Sequence, residues 1–490
     1  MWLSTLRRRS FLLLVFGVIA FISSELSYHA QEASAIPAFA RKYGLACNVC
    51  HVPGFPKLND FGNLFRDHGY QLGSDQDLPT FEGITMGYWP VSFRTTVGYQ
   101  SASLRVDGGG VGTGSFGFTG LDILSYGLLH RNISFGVVYT PGLGSAGFGA
   151  GSTAGQGDLE SAFVRLNNLE RFLGAGGDSY LANLKVGKYE LDVPFSEKRS
   201  QTLNTKFVMY HYQAGTPYSA VLSNLTASRY STYANPNTFA IGDNQPGAEL
   251  AGIKPTAGDG YFRYSLNVLS NSNQTGPLSG CPAGTTCGTG GRGFDFYGHV
   301  TQSFGGYGIV TGHRIGLFGA YGSAPTRVNA VCPTCAAVGA DGQPFSRIGV
   351  DLSTTFDGQW NLFGAWMHAT DSKPLFASQG IANAQDASWN GAFVQLDWYP
   401  TLMPILDMPG WLVTYRYDLI RNTRQGNPTF ATNYNDVDSH TWMARYYIHQ
   451  SSRTDIAWHA EYNTFRAQGV GVGGGDQVGQ TMLLGLDFAF

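Results

Sequence analysis

From about residue 88 to the C-terminus, apolar and polar residues alternate with a period of two in short runs, separated by clusters of Gly, Asn, Asp and Pro. Such alternation predicts strands that present one face to apolar surroundings and the other to polar ones. The pattern is clearest over 453–463, where Ile456, Trp458, Ala460 and Tyr462 oppose Asp455, His459, Glu461 and Asn463. Over 440–449, Trp442, Ala444, Tyr446 and Ile448 oppose Thr441, Arg445 and His449; over 411–419, Trp411, Val413, Tyr415 and Tyr417 oppose Thr414, Arg416 and Asp418. Sixteen segments of this kind are recognised, near 88–100, 116–129, 131–140, 158–167, 180–190, 247–254, 260–269, 294–304, 310–321, 344–356, 359–369, 390–399, 411–421, 439–450, 453–464 and 478–490. In water, faces this aromatic would aggregate. In a bacterial outer membrane they face lipid while the charged positions line a lumen, and an even strand count is what such a barrel requires. Connections after strands 2, 6, 8, 10 and 14 are short and those after odd strands mostly longer and rich in Gly, Ser and Asn, the alternation of periplasmic turns and outside loops. The last strand carries Met482, Leu484, Leu486 and Phe488 at alternate positions and ends in the aromatic Phe490, which resembles the insertion signal of outer-membrane barrels.

Composition agrees. Charged residues make up 13% of 490, Gly counts 66, and aromatics reach 14%, against about 25% charged and about 7% Gly in soluble domains. A hydrophobic share of 43% argues against disorder, and a net charge of -3 leaves no basic footprint for nucleic acid. The apolar run Phe11–Ile22 follows Arg7-Arg8-Arg9 and precedes the small-x-small pattern Ala33-Ser34-Ala35, a secretory signal peptide over 1–35. As a helix this run rises about 18 Å against a hydrocarbon core of about 30 Å, too short for an anchor.

The period changes before the first strand. Leu58, Phe61, Leu64 and Phe65 recur at helical spacing between Lys57 and His68, and Gly69 is a natural stop. Just upstream stands Cys47-Asn48-Val49-Cys50-His51. Two thiols three positions apart can each form a thioether to one haem vinyl, and the adjacent imidazole is then held beneath the iron as proximal ligand. A redox dithiol has no need of His51, and structural zinc wants a second ligand pair that is not nearby. Cys47, Cys50 and His51 are therefore the expected holders of one covalent haem c, with His68 and Met86 as candidates for the opposite axial position and an open or water-ligated iron as the third option. One short helix cannot bury a haem, so the barrel must complete the pocket of a segment spanning 36–86, with the barrel itself over 87–490.

The other cysteines, Cys281, Cys287, Cys332 and Cys335, fall in outside loops of an exported chain, where local disulfides are expected; their pairing is not fixed by sequence. The longest outside connection, from about Leu191 to Gly247, contains Asp192-Val193-Pro194-Phe195-Ser196-Glu197-Lys198-Arg199. A segment of that length is either folded back into the lumen to cover the haem or surface decoration.

The leader, the start Ile36-Pro37-Ala38-Phe39-Ala40-Arg41, the motif Cys47–His51, Leu58–Gly62, Phe65-Arg66, Gly69-Tyr70 and an all-β remainder ending at Phe490 resemble the fused outer-membrane cytochrome-porins, whose best-known members are iron(II) oxidases. The resemblance is specific over 36–70 and architectural over the barrel. It implies an all-β transmembrane barrel of about sixteen antiparallel strands with a small helical haem c segment plugging or lining the lumen. It further implies an oxidoreductase that moves electrons from an outside donor, Fe(II) first, to a periplasmic c-type cytochrome or copper protein. Such outer-sphere transfer needs no acid, base or nucleophile, and no hydrolytic or group-transfer motif is present. Carboxylates expected on outside loops, Asp371, Asp386, Asp436 and Asp438, could attract a hard cation. Two further functions fit the same sequence: a conduit for another extracellular donor or acceptor, and a solute porin whose haem is structural.

Overall fold

The structure is a computed structural model. It describes residues 37–490 apart from 53, 74–76, 86–88, 142–157, 173, 175–178, 219–234, 236, 238, 258–259, 271–293, 306–311, 326–341, 401–409 and 451–453. The leader, Met86 and all four loop cysteines lie outside the described residues.

Sixteen strands form one closed antiparallel barrel in which each strand pairs with its sequence neighbours and the last with the first. They are β1 (Val91–Val106), β2 (Gly109–His130), β3 (Ile133–Thr140), β4 (Asp158–Leu166), β5 (Asn183–Glu190), β6 (Asn244–Thr256), β7 (Gly260–Ser270) and β8 (Phe294–Phe304), then β9 (His313–Pro325), β10 (Gly342–Phe356), β11 (Trp360–Asp371), β12 (Ala387–Trp398), β13 (Trp411–Arg424), β14 (Val437–Gln450), β15 (Asp455–Ala467) and β16 (Gln477–Ala489). All sixteen correspond to the segments read from alternation.

Closure occurs where β16 pairs β1, with Gly98 opposite Gly485. A Cβ at Gly98 would stand 2.2 Å from the Leu484 carbonyl and one at Gly485 2.5 Å from that of Val97, so the seam is tight enough to require both glycines. The final residue completes it: the Phe93 N–H donates to the Phe490 carbonyl at 2.8 Å and their rings stack at 5.2 Å.

The two faces separate as the alternation requires. On β14, Trp442, Tyr446 and Ile448 are exposed on the outside, while Thr441, Met443 and Arg445 are buried inside. On β15, Trp458 and Tyr462 point out, while His459 and Glu461 are buried inside. At the end of the barrel where the chain terminates, outward aromatics form clusters: Trp360 on Trp398 at 5.2 Å, and Trp411 against Tyr446 and Trp458 at 5.1 and 6.1 Å. Aromatic girdles of this kind mark the interfacial level of outer-membrane barrels.

That terminal end carries the connections after even strands, such as 131–132 and 357–359, where Asn132, Asp357 and Gly358 supply the positive φ a tight hairpin needs. The opposite, loop end carries the longer connections after odd strands, with one difference from expectation. β1 and β2 run well past residues 100 and 116 and join through the two-residue turn Asp107-Gly108, with φ of 47° and 72°. An Asp-Gly pair between alternating residues is a strong hairpin signal, and Gly-rich 109–117 concealed it by diluting the alternation. The tip is fastened sideways, since Asp107 accepts from the Gly473 and Gly475 N–H groups at 3.0 and 3.1 Å.

Part of the lumen is filled by protein. From the loop end, described parts of 191–243 enter the barrel and pack Val193, Phe207, Val208, Met209, Tyr210 and Tyr212 against Phe345, Phe363, Trp389 and Phe393 of the wall in one buried apolar cluster. The described parts of the longest connection therefore fold back into the lumen and do not decorate the surface. From the terminal end, residues preceding β1 dock inside the same ring.

Candidate functional site

The docked segment is built from short pieces. Helix α1 (Pro37–Tyr43) ends at Gly44, whose φ is 66°. One helical turn, α2 (Cys47–Cys50), follows, closed by the His51 N–H donating to the Cys47 carbonyl at 3.0 Å. The turn puts both cysteines on one side and releases His51 as the first extended residue. Helix α3 (Asp60–Asp67) is N-capped by Asn59, whose Oδ1 accepts from the Gly62 N–H at 2.9 Å. The same side chain donates through Nδ2 to the Val49 carbonyl at 2.9 Å, which ties the start of α3 to the cysteine turn. Gly62 is where they touch: a Cβ there would lie 2.2 Å from the Cys50 carbonyl oxygen. Gly69, with φ of 69°, stops the helix as the sequence suggests. Phe65 packs edge-on against Phe39 and Tyr43 at 5.1 and 5.6 Å, whereas Phe61, placed on the same apolar face by spacing, is 39% exposed because α3 docks through its Gly62 and Phe65 side.

The wall holds this segment by charge and hydrogen bonds. Lys57 Nζ lies 2.6 Å from Asp397 Oδ2, 2.9 Å from Asn361 Oδ1 and 3.2 Å from the Tyr399 hydroxyl. The Phe55 carbonyl accepts from Tyr447 at 3.1 Å and Arg445 at 3.2 Å. Gln201, from the inserted connection, donates to the Val52 carbonyl at 3.0 Å. Arg263 reaches Asp67 at 2.8 Å.

Between docked segment, insertion and the β1–β7 side of the wall lies a cavity of about 860 Å³, lined by Cys47, Cys50 and His51 together with Tyr126, Phe163, Tyr189 and Leu203. Its size is within the range of about 300–1,000 Å³ usual for cofactor sites. Both cysteines are thiols outside any disulfide. Burial pushes the Cys50 thiol up to about 11, the reverse of the lowered pKa that activates a redox dithiol. Burial, against the opposing pull of the Pro56 and Lys57 backbone, brings His51 down to about 4, so the imidazole is neutral as an iron ligand must be. Its Nδ1 is buried with no hydrogen-bond partner among the described residues. Paired thiols, a neutral imidazole and a partly apolar cavity beside them fit a haem c.

Of the two candidates for the opposite axial position, Met86 is outside the described residues. His68 is not among the cavity-lining residues; it stacks on Tyr180 at 4.1 Å, and burial lowers its pKa.

The cavity is also strongly charged, which the sequence reading did not anticipate. Arg66 pairs with Asp67, Arg199 with Glu190, Lys198 with Glu160, Lys185 with Glu249 and Arg263 with Asp192. Asp192 is pushed up by burial, yet the neighbouring Arg263 and His299 hold it well below the usual carboxylate range. Cross-strand placement of these residues depends on register, which a single strand's alternation does not reveal.

The carboxylates considered for a hard cation do not converge. Asp371 is fully buried at the end of β11 and pairs with Arg347 at 2.9 Å, so it is a lumen residue. Asp386 accepts from the Lys373 N–H at 2.6 Å, Asp436 from the Asn422 N–H at 2.7 Å, and Asp438 pairs with Arg421. No group of three metal-ligating side chains occurs among the described residues.

Fold and lumen define a closed sixteen-strand antiparallel barrel of the kind bacteria place in their outer membranes. No protein-family model matches the chain, and no curated protein sequence does. Solved structures similar to it include an anion-selective porin from Comamonas acidovorans, at 13% identity over 82% of this chain and 99% of that one, with a TM-score of 0.46. OprB of Pseudomonas putida is similar at 11% identity over 84% and 96%, TM-score 0.42. The outer membrane channel DcaP of Acinetobacter baumannii is similar at 9% identity over 81% and 96%, TM-score 0.42.

Proposed function

We propose that the protein is an outer-membrane electron conduit, carrying electrons from an extracellular donor, Fe(II) first, through one covalent haem c to a periplasmic c-type cytochrome or copper protein. The observation that carries this reading is the opening of Cys47, Cys50 and His51 onto a cavity inside the barrel, beside a lumen packed with buried apolar side chains. Cys47 and Cys50 would hold the haem through thioethers and His51 would ligate its iron. When bound, the haem supplies a one-electron couple whose potential is set by axial ligation, hydrogen bonding and burial.

The chain's own residues position and insulate that group. Asn59 and Gly62 fix the cysteine turn against α3, so the two thiols and the imidazole keep one relative geometry. Lys57 and the Phe55 carbonyl anchor the segment to the wall. The 191–217 stretch covers it from the loop end and keeps water from the apolar side of the lumen. In this orientation the terminal end faces the periplasm, where a carrier can approach, and the loop end faces the medium.

Stopped-flow reduction of the haem by Fe(II) tests the donor; no reduction under favourable driving force, with reduction by another extracellular couple, would leave a conduit with a different donor or acceptor. A solute porin with a structural haem is the second reading, favoured by the barrel architecture. Cys50→Ala separates them: a conduit loses haem-dependent transfer, whereas a porin still passes solute.

A further inference from the structure

Across β4, β5 and β6 the inward side chains of Arg165, Lys185 and Glu249 stand in one register row. Arg165 and Lys185 are direct cross-strand neighbours of like charge, an unfavourable pairing unless neutralised. Glu249 neutralises Lys185. Arg165 makes no close ion pair among the described residues, although Glu249 and Asp67 are near enough to act on its charge: both its terminal nitrogens donate to backbone carbonyls at the end of α3, Nη1 to Arg66 at 2.8 Å and Nη2 to Asp67 at 2.6 Å. Its Nε is buried without a hydrogen-bond partner, the residue is 8% exposed, and it lines the cavity. Both carboxylates are already paired, Glu249 with Lys185 and Asp67 with Arg66 and Arg263. A buried cation lining a cavity, whose neighbouring carboxylates each already pair with another cation, calls for a further anion in that cavity, since an undercompensated buried charge is unfavourable. A guanidinium suits a planar carboxylate.

We propose that Arg165 is the counter-cation for a carboxylate of the bound cofactor, a haem propionate. The assignment rests on the reading that Cys47 and Cys50 carry haem. Arg165 is a positioning residue: it clamps the end of α3 through both terminal nitrogens and supplies the positive charge opposite the propionate, so the cofactor would be held to the barrel wall as well as to the cysteine turn.

The test uses the full-length protein purified with haem, its attachment verified by peptide mass at Cys47 and Cys50. In Arg165→Leu the propionate bending band in the resonance Raman spectrum should move, and the midpoint potential should become more steeply pH-dependent as the propionate loses its ion pair; Arg165→Lys should restore most of the pH profile. Thermal unfolding supplies a readout independent of electron transfer. Arg165→Leu should lower the midpoint clearly more in haem-loaded protein than in the haem-free Cys47→Ala/Cys50→Ala background, where only the two bonds to α3 are lost. Attached haem with an unmoved band and an unmoved pH profile overturns the assignment, as does an equal loss of stability in both backgrounds, which would reduce Arg165 to a clamp on α3. Absence of haem from Cys47 and Cys50 overturns the conduit reading and this assignment together.

Discussion

Lys57 offers the most quantitative perturbation, because it joins the cysteine segment to the barrel through a buried ion pair. Its ammonium lies 2.6 Å from Asp397, with side-chain exposures of 16% and 1%, and it also meets Asn361, Tyr399 and the Phe363 ring. Removing one member of a buried pair leaves the other charged and unpaired, at a cost of about 3–5 kcal/mol. At 1.4 kcal/mol per factor of ten, Lys57→Met should raise the undocked fraction of residues 37–73 by about two to three and a half orders of magnitude. The strands do not depend on this contact, so the barrel should stay folded and heat-modifiable in gels while the segment detaches. Limited proteolysis of detergent-solubilised protein measures the undocked population when cleavage is slow relative to closing, and cleavage between Cys50 and Gly73 should accelerate accordingly. Because the unpaired carboxylate is the main cost, Lys57→Met/Asp397→Leu should recover most of the loss. Cleavage within twofold of wild type in the single variant, or a double variant as labile as the single, would refute the docking argument.

Three other outcomes follow from the same contacts. Gly62→Val should force the cysteine turn and α3 apart, costing about 1–3 kcal/mol locally and lowering the haem-to-protein ratio in a pyridine haemochrome assay; unchanged loading would show that the turn tolerates the shift. Burial, partly offset by the Gly312 backbone and Arg314, raises Asp60 to about 7. The docked form therefore binds its proton more tightly than the free segment, so docking stability should fall as pH rises from about 4 to 7 and level off above; Asp60→Asn should flatten that slope in proteolysis rates, and an unaltered slope would assign it to another group. Asp107→Gly keeps the positive-φ turn but removes two hydrogen bonds to Gly473 and Gly475, and amide exchange at those two glycines should rise by about five- to tenfold, as expected for about 1 kcal/mol; an unchanged rate would mean the tip is held otherwise.

Much of this architecture is written in local pattern. Alternation places Trp442, Tyr446 and Trp458 outside and Arg445 and His459 inside because one strand's pleat decides both. The helix over Asp60–Asp67 and its stop at Gly69 are equally local. The cysteine motif is legible because its chemistry fixes three side chains within five positions. What remained hidden is set by register between strands: the row Arg165, Lys185, Glu249, the joining of Lys57 to Asp397 across 340 positions, and the burial of Asp371, which sequence alone places on a loop. The Asp107-Gly108 hairpin was hidden for the opposite reason, since glycines have no side chain to mark a face.

The central claim is that electrons, and not solutes, cross this barrel. It is tested most directly in proteoliposomes with an oxidised c-type cytochrome trapped inside and a membrane-impermeant reductant, Fe(II) or a chelate of it, outside. Haem-loaded protein should reduce the trapped cytochrome and Cys50→Ala should not, with no accompanying efflux of a small trapped sugar. A cytochrome that stays oxidised while the sugar escapes equally through wild type and Cys50→Ala would contradict it and establish a solute pore.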